Sequence, residues 1–311
     1  ALTELTSLIS KRTLYCSKNV TGKHSQFLTD KRDGNIRYKN IDHTWKNQKC
    51  IFCGASEKNY NRDTDLESYA YEFIHIEDPN ELVNGKGIKK LQRAGIDVIT
   101  GILEKECTDL HKRFLTYQLK KRPYVILKWA QTSDGFISPN EKIDKAPFWI
   151  SNKKSRILSH KWRAHENAIL IGAQTLRDDN PKLTTRNWNG NNCNAYVLSK
   201  NWSKRENKKF NIDGKFKILD KTIIDFGNNV AKQICRVLHE NKIQSLIVEG
   251  GTKTINNFLD SKIWDEIRIF KSDKKLTKGI KAPNLNLKCE MKIQLDDDKL
   301  EIYKNSDENL S

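Results

Sequence analysis

The sequence lacks any apolar run long enough to cross a lipid bilayer, which takes about 20 consecutive apolar residues. Residues 1–12 also lack the basic-then-apolar order of a secretory signal peptide. The seven cysteines fall at irregular spacing and do not make the paired pattern of a disulfide framework. These absences argue against membrane-spanning and disulfide-stapled secreted proteins, so we expect a cytoplasmic protein with reduced thiols.

The chain also has little acidic character for its size. Lys and Arg number 56 against 39 Asp and Glu, which gives a net charge of +17. Such an excess attracts anions, whether nucleic acid, an anionic membrane surface or phosphorylated small molecules. Because the basic residues are mostly Lys and are spread along the whole chain, a solvated basic surface is favoured over a focused nucleic-acid stripe.

Three regions of the 311-residue chain differ in their residue pattern. Residues 1–70 are polar and irregular and are left unassigned. Residues 71–122 predict strands at 71–76 and 96–100, a short helix at 87–94, and a helix over 104–120 with apolar residues at helical spacing. The basic end of that helix and Pro123 mark a domain boundary.

From residue 123 to residue 311, strands and helices alternate. Apolar strands are predicted at 124–129, 168–171, 196–198, 245–249 and 266–270, and helices at 151–166, 230–241 and 252–259. Apolar strands that alternate with helices are typical of an α/β fold whose sheet is covered by helices on both faces. We therefore predict one α/β domain over this stretch.

The strongest local feature is the run from Leu246 to Thr252, where an apolar strand leads through Gly250 and Gly251 into a helix. Glycines let a ligand approach the backbone closely, and the free amides of a helix start favour a phosphate. We expect Thr252 to be the N-cap. A tight turn without a ligand is the alternative, because two glycines are not the GxGxxG fingerprint. Glu249 is expected either to face the same cleft or to satisfy nearby amides.

Two further polar features lie near predicted strand ends. Lys128 interrupts an otherwise apolar strand, and a buried Lys is costly unless it is paired or faces a cleft. The stretch from Gly172 to Arg186 mixes acids, hydroxyls and bases around a proline, as a polar ligand-binding loop does. Each feature taken alone would be assigned to a surface loop.

Four segments in this order resemble the reductase half of the bacterial riboflavin-biosynthesis deaminase–reductase family: LKWAQTSDGFISP, FWIS, HKWRAHENAILIGAQTLRDDNPKLTTR and LIVEGGTKTINNFLDSKIWDEIRIFKS. The resemblance implies a dihydrofolate-reductase-like fold for residues 123–311 and NADPH as the cofactor. It implies reduction of 5-amino-6-(5-phosphoribosylamino)uracil to the ribitylamino product, with a phosphorylated pyrimidine as the substrate. It also implies a homodimer formed through this domain.

The resemblance carries the family's site residues onto this sequence. Its substrate contacts fall on Arg163, Leu183, Arg186 and Glu249. Its cofactor contacts fall on Ala130, Trp149, Thr175, Asp179, Gly251, Thr252, Lys253, Thr254, Ile255, Asn256 and Asn257. The two arginines suit a phosphate because a guanidinium offers planar donors. Lys128 and Glu249 are the catalytic candidates, with Lys128 orienting the sugar or supplying a proton.

Residues 71–122 resemble the closing part of the family's cytidine-deaminase-like domain, through EDPN, VNGKGI and AGIDV. Deamination there needs a His-x-Glu and a Pro-Cys…Cys pair, which bind zinc and move protons. The set is incomplete, because no proline of the chain precedes a cysteine. We therefore expect a remnant of the deaminase domain without activity, and the bifunctional deaminase–reductase is the alternative function.

Cys50 and Cys53 form a CxxC turn of the kind that holds half of a structural zinc site. Cys16, His24 and His43 are the nearby candidates for the other half, so the ligand set is incomplete and no metal site is predicted. Residues 65–75 faintly resemble DNA restriction–modification proteins, which would make residues 1–70 a foreign segment. A nucleic-acid-binding protein that uses this basic region is the more remote alternative, and neither nucleic acid nor a membrane is the expected partner.

Overall fold

The computed structural model describes residues 16–17, 37–40, 45–50, 69–72, 85–93, 104–140, 148–210 and 214–305. The chain divides into two compact units, Ala1–Lys112 and Arg113–Ser311. Every described residue that the resemblance places in the reductase site belongs to the second unit.

The described part of the first unit contains short antiparallel strands and a helix. Strands β1 (Cys16–Ser17), β2 (Arg37–Asn40) and β5 (Tyr69–Glu72) form a sheet in the order β1-β5-β2. Strands β3 (Trp45–Lys46) and β4 (Lys49–Cys50) form a hairpin, and helix α1 covers Lys86–Arg93. The strand predicted over residues 96–100 lies outside the described residues.

Helix α2 (Glu104–Lys120) has the bounds that its apolar spacing predicts. It ends where Lys121 adopts a left-handed backbone with φ 51°, two residues before Pro123. Proline disfavours a helical residue before it, so the chain leaves the helix and enters the first strand of the main sheet.

An eight-stranded sheet forms the centre of the second unit. In chain order its strands are β6 (Tyr124–Gln131), β8 (Ala168–Gly172), β9 (Asn194–Leu198), β10 (Phe216–Leu219), β11 (Ser245–Val248), β12 (Glu266–Ser272), β14 (Met291–Leu295) and β15 (Asp298–Lys304). The spatial order is β10-β9-β8-β11-β6-β12-β15-β14. The first six strands are parallel to one another, and β15 and β14 are antiparallel to their neighbours. Outside it, β7 (Phe136–Ser138) pairs with β13 (Ile280–Lys281).

Helices cover both faces of this sheet, as the alternating pattern predicts. They are α3 (Lys153–His165), α4 (Ala173–Asp179), α5 (Lys204–Phe210), α6 (Val230–Glu240) and α7 (Thr252–Asp260). One face packs against α6 and α7 in the main apolar cluster, to which β6 contributes Val125, Leu127 and Trp129. On the other face Trp162 of α3 packs on Ile126 and Ile247.

The parallel register determines where the site lies. In the middle of the sheet Leu127 of β6 pairs with Val248 of β11, and Lys128 pairs with Arg268 of β12. Because the strands run in the same direction, β6, β8 and β11 all end at one edge of the sheet. In an open α/β sheet this carboxyl edge is where ligands bind.

Three local predictions were wrong. Part of the stretch expected to be a polar loop is helix α4, which ends at Asn180 in a left-handed conformation. The N-cap of α7 is Gly251, and the Thr252 hydroxyl instead donates to the carbonyl oxygen of Lys281 at 2.7 Å. Helix α3 begins at Lys153, with Asn152 as its N-cap, whereas the sequence predicts a helix from residue 151.

Candidate active site

Three ionised side chains meet at the carboxyl edge of the sheet. Arg163 of α3 donates from Nε to Glu249 Oε1 at 3.1 Å and from Nη2 to Oε2 at 2.7 Å. Lys128 of β6 lies on the other side of the carboxylate, with Nζ 3.4 Å from Oε2. Glu249 follows β11 directly, and its backbone N–H donates to Leu170 of β8 at 2.9 Å. Lys128, which was expected to need a partner, therefore has one in Glu249.

The cluster is shielded from solvent and carries a net positive charge. The side chains of Lys128, Arg163 and Glu249 are 13%, 12% and 10% exposed. Burial by itself would raise the pKa of Glu249, but Arg163 and then Lys128 outweigh it and lower that pKa to about 2. Burial lowers the pKa of Lys128, and the charge of Arg163 lowers it further against the pull of Glu249. Glu249 is thus a carboxylate at any physiological pH, and Lys128 is a stronger acid than a solvated Lys.

Aromatic rings lie beside the ammonium group of Lys128, a contact that the sequence did not reveal. The Nζ atom of Lys128 lies 5.6 Å from the ring centroid of Phe270, and that ring stacks on Trp162 at 5.3 Å. The guanidinium of Arg268 lies 4.4 Å from the Trp162 ring on the same face of the sheet. A ring face attracts a cation, so this stack favours the charged form of Lys128 and fixes its direction.

The two other predicted substrate residues lie after α4. Leu183 has a positive φ of 50° and a buried side chain, so only its backbone could contact a ligand. Arg186 is exposed, and its Nη1 lies 3.5 Å from the Thr184 hydroxyl. The Thr184 carbonyl lies 3.4 Å from Nη1 of Arg163, which connects this loop to the cluster.

The glycine turn lies beside the cluster and leads into the start of α7. No side chain caps this helix start, so the backbone amides of Thr252 and Lys253 have no capping group. The N–H of Gly251 donates to Thr175 Oγ1 of α4 at 3.2 Å. A Cβ at Gly250 would lie 3.0 Å from Cβ of Thr254, whereas one at Gly251 would meet nothing closer than 3.7 Å. A Cβ at Gly250 would therefore press on Thr254, whereas one at Gly251 would make an ordinary van der Waals contact with Thr175 Oγ1.

The remaining predicted cofactor residues surround this edge. Ala130 lies near the end of β6, where it pairs with Phe270, and Asp179 is the last residue of α4. Trp149 is 48% exposed, and the Arg156 guanidinium lies 4.8 Å from its ring. In α7, Lys253 is exposed, Asn256 and Asn257 are half-buried, and Thr254 and Ile255 are buried. The last two can shape the site through packing, but they offer no exposed side chain to a ligand.

A cavity of about 440 Å³ opens at the carboxyl ends of β9 and β10. Lys200 and Lys221 line it together with Thr222 and Gln233. Both lysines follow their strands by two residues, so they lie on the same edge of the sheet as the glycine turn. The sequence reading did not single them out, because exposed lysines are common throughout this chain.

No metal site is present among the residues that the structure describes, since no three His, Cys, Asp or Glu side chains come together there. Cys53 lies outside those residues, so the CxxC turn stays a prediction. The sequence contains one of the two elements that deamination needs, the His-x-Glu triplet His75-Ile76-Glu77, and this triplet also lies outside the described residues. Within the described ranges, no helix is long and apolar enough to cross a membrane.

Residues 123–276 match the model of the RibD C-terminal domain. The riboflavin biosynthesis protein RibD of Aquifex aeolicus is 34% identical over 234 residues, which cover 68% of this chain and 63% of that protein. The RibD protein of Bacillus amyloliquefaciens is 31% identical over 64% of this chain and 58% of its own length. A solved deaminase/reductase from Thermotoga maritima aligns with a TM-score of 0.62 and 30% identity, over 74% of this chain and 70% of that one.

This chain belongs to the RibD family. The family model begins at Pro123, the residue at which the sequence predicted a new domain. The predicted α/β fold of the reductase half is confirmed by the sheet and by the RibD structure. The chain spans less than two thirds of the length of these curated RibD relatives.

Proposed function

We propose that the chain is an NADPH-dependent reductase of 5-amino-6-(5-phosphoribosylamino)uracil in riboflavin biosynthesis. The cluster of Lys128, Arg163 and Glu249, at the carboxyl edge of a RibD C-terminal domain and beside an uncapped helix start, is the observation that carries the proposal. The solved Thermotoga maritima relative is named both a deaminase and a reductase of this uracil. Nothing in the described residues favours the deaminase reaction for this chain.

The chemistry needs a proton at the ribose ring oxygen. When that oxygen is protonated, the bond from it to the anomeric carbon breaks and the amino nitrogen forms a double bond to that carbon. Lys128 is the group that would supply this proton, because its lowered pKa makes Nζ a better donor. Glu249 would accept hydrogen bonds from substrate hydroxyls or ring nitrogens, and Arg163 keeps it ionised.

The residues at the glycine turn fit NADPH, which supplies the hydride to the anomeric carbon when it is bound. The uncapped amides at the start of α7 suit a pyrophosphate, since a helix N-terminus favours negative charge. The absence of a Cβ at Gly251 would let a phosphate approach the backbone closely. Exposed Trp149 offers an aromatic face at the same edge of the sheet.

The choice of NADPH over NADH is supported by the cavity at the ends of β9 and β10. Strands are spaced by about 4.8 Å, so the ends of these strands lie roughly 10 to 15 Å from the glycine turn at β11. Lys200 and Lys221 bring two positive charges to the cavity and Asp225 brings one negative charge, so the lining has a net charge of +1. We propose that they receive the 2′-phosphate that distinguishes NADPH.

The test is NADPH oxidation with the phosphoribosylaminouracil substrate in the wild type, Lys128→Met, Lys128→Arg and Lys154→Met. Loss of a general acid typically costs about 100-fold or more in rate, so we expect kcat of Lys128→Met to fall by that amount with NADPH affinity unchanged. Lys128→Arg should stay slow, because a guanidinium does not release its proton. The matched control Lys154→Met removes an exposed lysine that pairs with Asp296, and it should behave as wild type.

If Lys128→Met has the kcat of the wild type, Lys128 is not the general acid. If the wild type binds NADPH but does not turn over, the substrate assignment is wrong. The same assay with NADH tests the cavity. Lys200→Gln and Lys221→Gln should raise KM for NADPH and leave KM for NADH unchanged. Equal effects on both cofactors would contradict the placement of the 2′-phosphate.

The homodimer that the resemblance implies and the cytoplasmic location that we expect from the sequence are proposals as well. The net charge of +17 and the absence of a membrane-spanning helix from the described residues agree with an enzyme that acts on a phosphorylated metabolite in solution. Sedimentation of the full chain tests the dimer, and a monomer at assay concentration would contradict it.

A further inference from the structure

The loop over residues 183–192, which we call the 183–192 loop, joins α4 to β9 and carries two of the predicted substrate residues. Leu183 buries its side chain against Ile169 and Leu176, and its φ of 50° is one that side-chain-bearing residues rarely adopt. Arg186 is exposed, and among the described residues no carboxylate forms an ion pair with it. Arg163 has its Nε and Nη2 committed to Glu249, so Arg186 is the guanidinium available to an anion.

Thr185 fastens this loop from within. The residue is 5% exposed, and its backbone N–H donates to Asn192 Oδ1 at 2.9 Å. Its hydroxyl oxygen lies 3.1 Å from the same Asn192 oxygen and 3.0 Å from the Gly190 carbonyl. The Asn192 amide oxygen thus accepts from the Thr185 N–H, and the single hydroxyl proton of Thr185 is shared between that oxygen and the Gly190 carbonyl. Thr185 therefore joins the near end of the loop to its far end.

The joined loop also rests on helix α3, which carries Arg163. A Cβ at Gly190 would lie 2.7 Å from Cβ of Ala164, so only glycine allows the far end of the loop to pack this closely. At the near end Nη1 of Arg163 lies 3.4 Å from the Thr184 carbonyl. The loop therefore contacts α3 on both sides of Thr185, and a change in the loop would move Arg186 relative to the cluster.

We infer that Thr185 and Asn192 are positioning residues, which hold the 183–192 loop in the shape that presents the backbone at Leu183 and the guanidinium of Arg186 to the phosphate monoester of the substrate. This inference rests on the proposed function and adds the means by which the phosphate is recognised. Thr185 itself is buried and does not reach a ligand, so its effect passes through the loop. The hydroxyl is required for that effect, and the side-chain shape alone is insufficient.

The experiment measures binding of ribose 5-phosphate to the full chain by calorimetry, together with KM and kcat in the reductase assay. Thr185→Ser keeps the hydroxyl and should bind as wild type. Thr185→Val keeps the side-chain shape and loses the hydroxyl. Asn192→Leu removes the amide oxygen that accepts from the Thr185 N–H. Each of these two variants should lower the affinity for ribose 5-phosphate about tenfold, which is the effect of one lost buried hydrogen bond. Each should also raise KM for the uracil substrate, with little change in kcat or in NADPH affinity.

A double variant and a matched control complete the design. Because the contacts that the two variants remove overlap at Asn192 Oδ1 without being identical, Thr185→Val with Asn192→Leu should lose less affinity than the sum of the two single losses. Ser203→Ala is the control, since Ser203 also donates from its N–H and hydroxyl to one side-chain oxygen, that of Glu206 at the start of α5. It should leave ribose 5-phosphate affinity unchanged.

Ribose 5-phosphate affinity that is unchanged in Thr185→Val would overturn the inference, and so would an equal loss of NADPH affinity, which would indicate general disruption. Should Thr185→Val not fold, Asn192→Leu decides the question by the same readout. Failure of the proposed function would look different. A wild type that binds ribose 5-phosphate but does not oxidise NADPH with the uracil substrate would contradict the proposed reaction, and the ribose 5-phosphate affinities of the variants would still test the role of Thr185.

Discussion

At the scale of single residues, the molecule places a carboxylate between two cations in a nearly solvent-free position. The exposed fraction of the Glu249 side chain is 10%, and Arg163 and Lys128 lie within 2.7 and 3.4 Å of one of its oxygens. Removing one partner from such a group leaves the others with uncompensated charge, which costs far more than loss of a surface pair. Glu249 should therefore contribute to folding as well as to binding.

The pH dependence of this contribution can be derived from the pKa of Glu249. That pKa is depressed from an ordinary value of 4.5 to about 2 in the folded protein. A depressed carboxyl pKa contributes stability that is fully present above the unfolded value and is lost as pH falls towards the folded value. We expect Glu249→Gln to lower the free energy of unfolding by about 3 kcal/mol at pH 7, and the difference from wild type to shrink between about pH 4.5 and pH 2.

Urea unfolding of both proteins at neutral and acidic pH measures this difference. Glu240→Gln is a suitable control, because Glu240 forms an exposed helical pair with Arg236 at 4.0 Å and such pairs contribute little. A stability difference for Glu249→Gln that stayed constant down to the lowest pH would show that the charge of Glu249 is not its source.

At the scale of elements, two adjacent glycines have different roles in the turn between β11 and α7. Ala at Gly250 would press on Thr254 and on the Gly172 amide, at 3.0 and 3.3 Å, so Gly250→Ala should destabilise the fold. Gly251 has φ −63°, and an added Cβ would lie 3.7 Å from Thr175 Oγ1, an ordinary contact distance, so Gly251→Ala should fold almost normally. We still expect Gly251→Ala to weaken NADPH about tenfold, because its methyl group would occupy the approach of a phosphate to the backbone.

Thermal unfolding and NADPH titration of the two variants separate these effects. The informative result is a Gly251→Ala protein of wild-type stability with reduced NADPH affinity. Undiminished NADPH affinity in that variant would place the cofactor phosphates away from the start of α7.

The elements that the sequence predicted are those whose burial produces a recognisable pattern of apolar residues. Strands β6, β8 and β11 are buried on both faces and read as continuous apolar runs. Strand β14 escaped prediction because its residues are almost all exposed, and helix α4 because only Ala173 and Leu176 of it are buried. Pattern depends on burial, so exposed elements leave no such signal.

The site residues also divide into those that a local sequence pattern reveals and those that it does not. Lys128 and Glu249 stand out because each is polar within or beside an apolar strand. The partnership of Arg163 with Glu249 joins residues 86 positions apart, and no local pattern encodes such a distance. The support of Lys128 by Phe270 and Trp162 was missed for a related reason, since these rings read as ordinary core residues until the sheet register places them under a cation.

At the scale of the whole molecule, the second compact unit includes part of a helix that lies before the RibD C-terminal match. The compact unit starts at Arg113, whereas the family model starts at Pro123. Arg113 of α2 forms an ion pair with Glu166, whose side chain is 1% exposed, and Tyr117 donates to the His239 carbonyl at 3.2 Å. Leu115 is buried as well. The second half of α2 thus belongs to the packing of the second unit.

This packing predicts how shortened chains behave. A fragment of residues 104–311 keeps the whole helix and should bind NADPH as the full chain does. A fragment of residues 123–311 lacks Arg113, the partner of Glu166, Arg122, the partner of Asp265, and the buried Leu115, so it should unfold at lower urea, with a loss of about 3 kcal/mol or more. Within the longer fragment, Arg113→Met should reproduce much of that loss, because it removes the charge while keeping an apolar stem. Equal stability of the two fragments would mean that α2 is dispensable, and that the reductase domain begins at Pro123 as the sequence alone predicts.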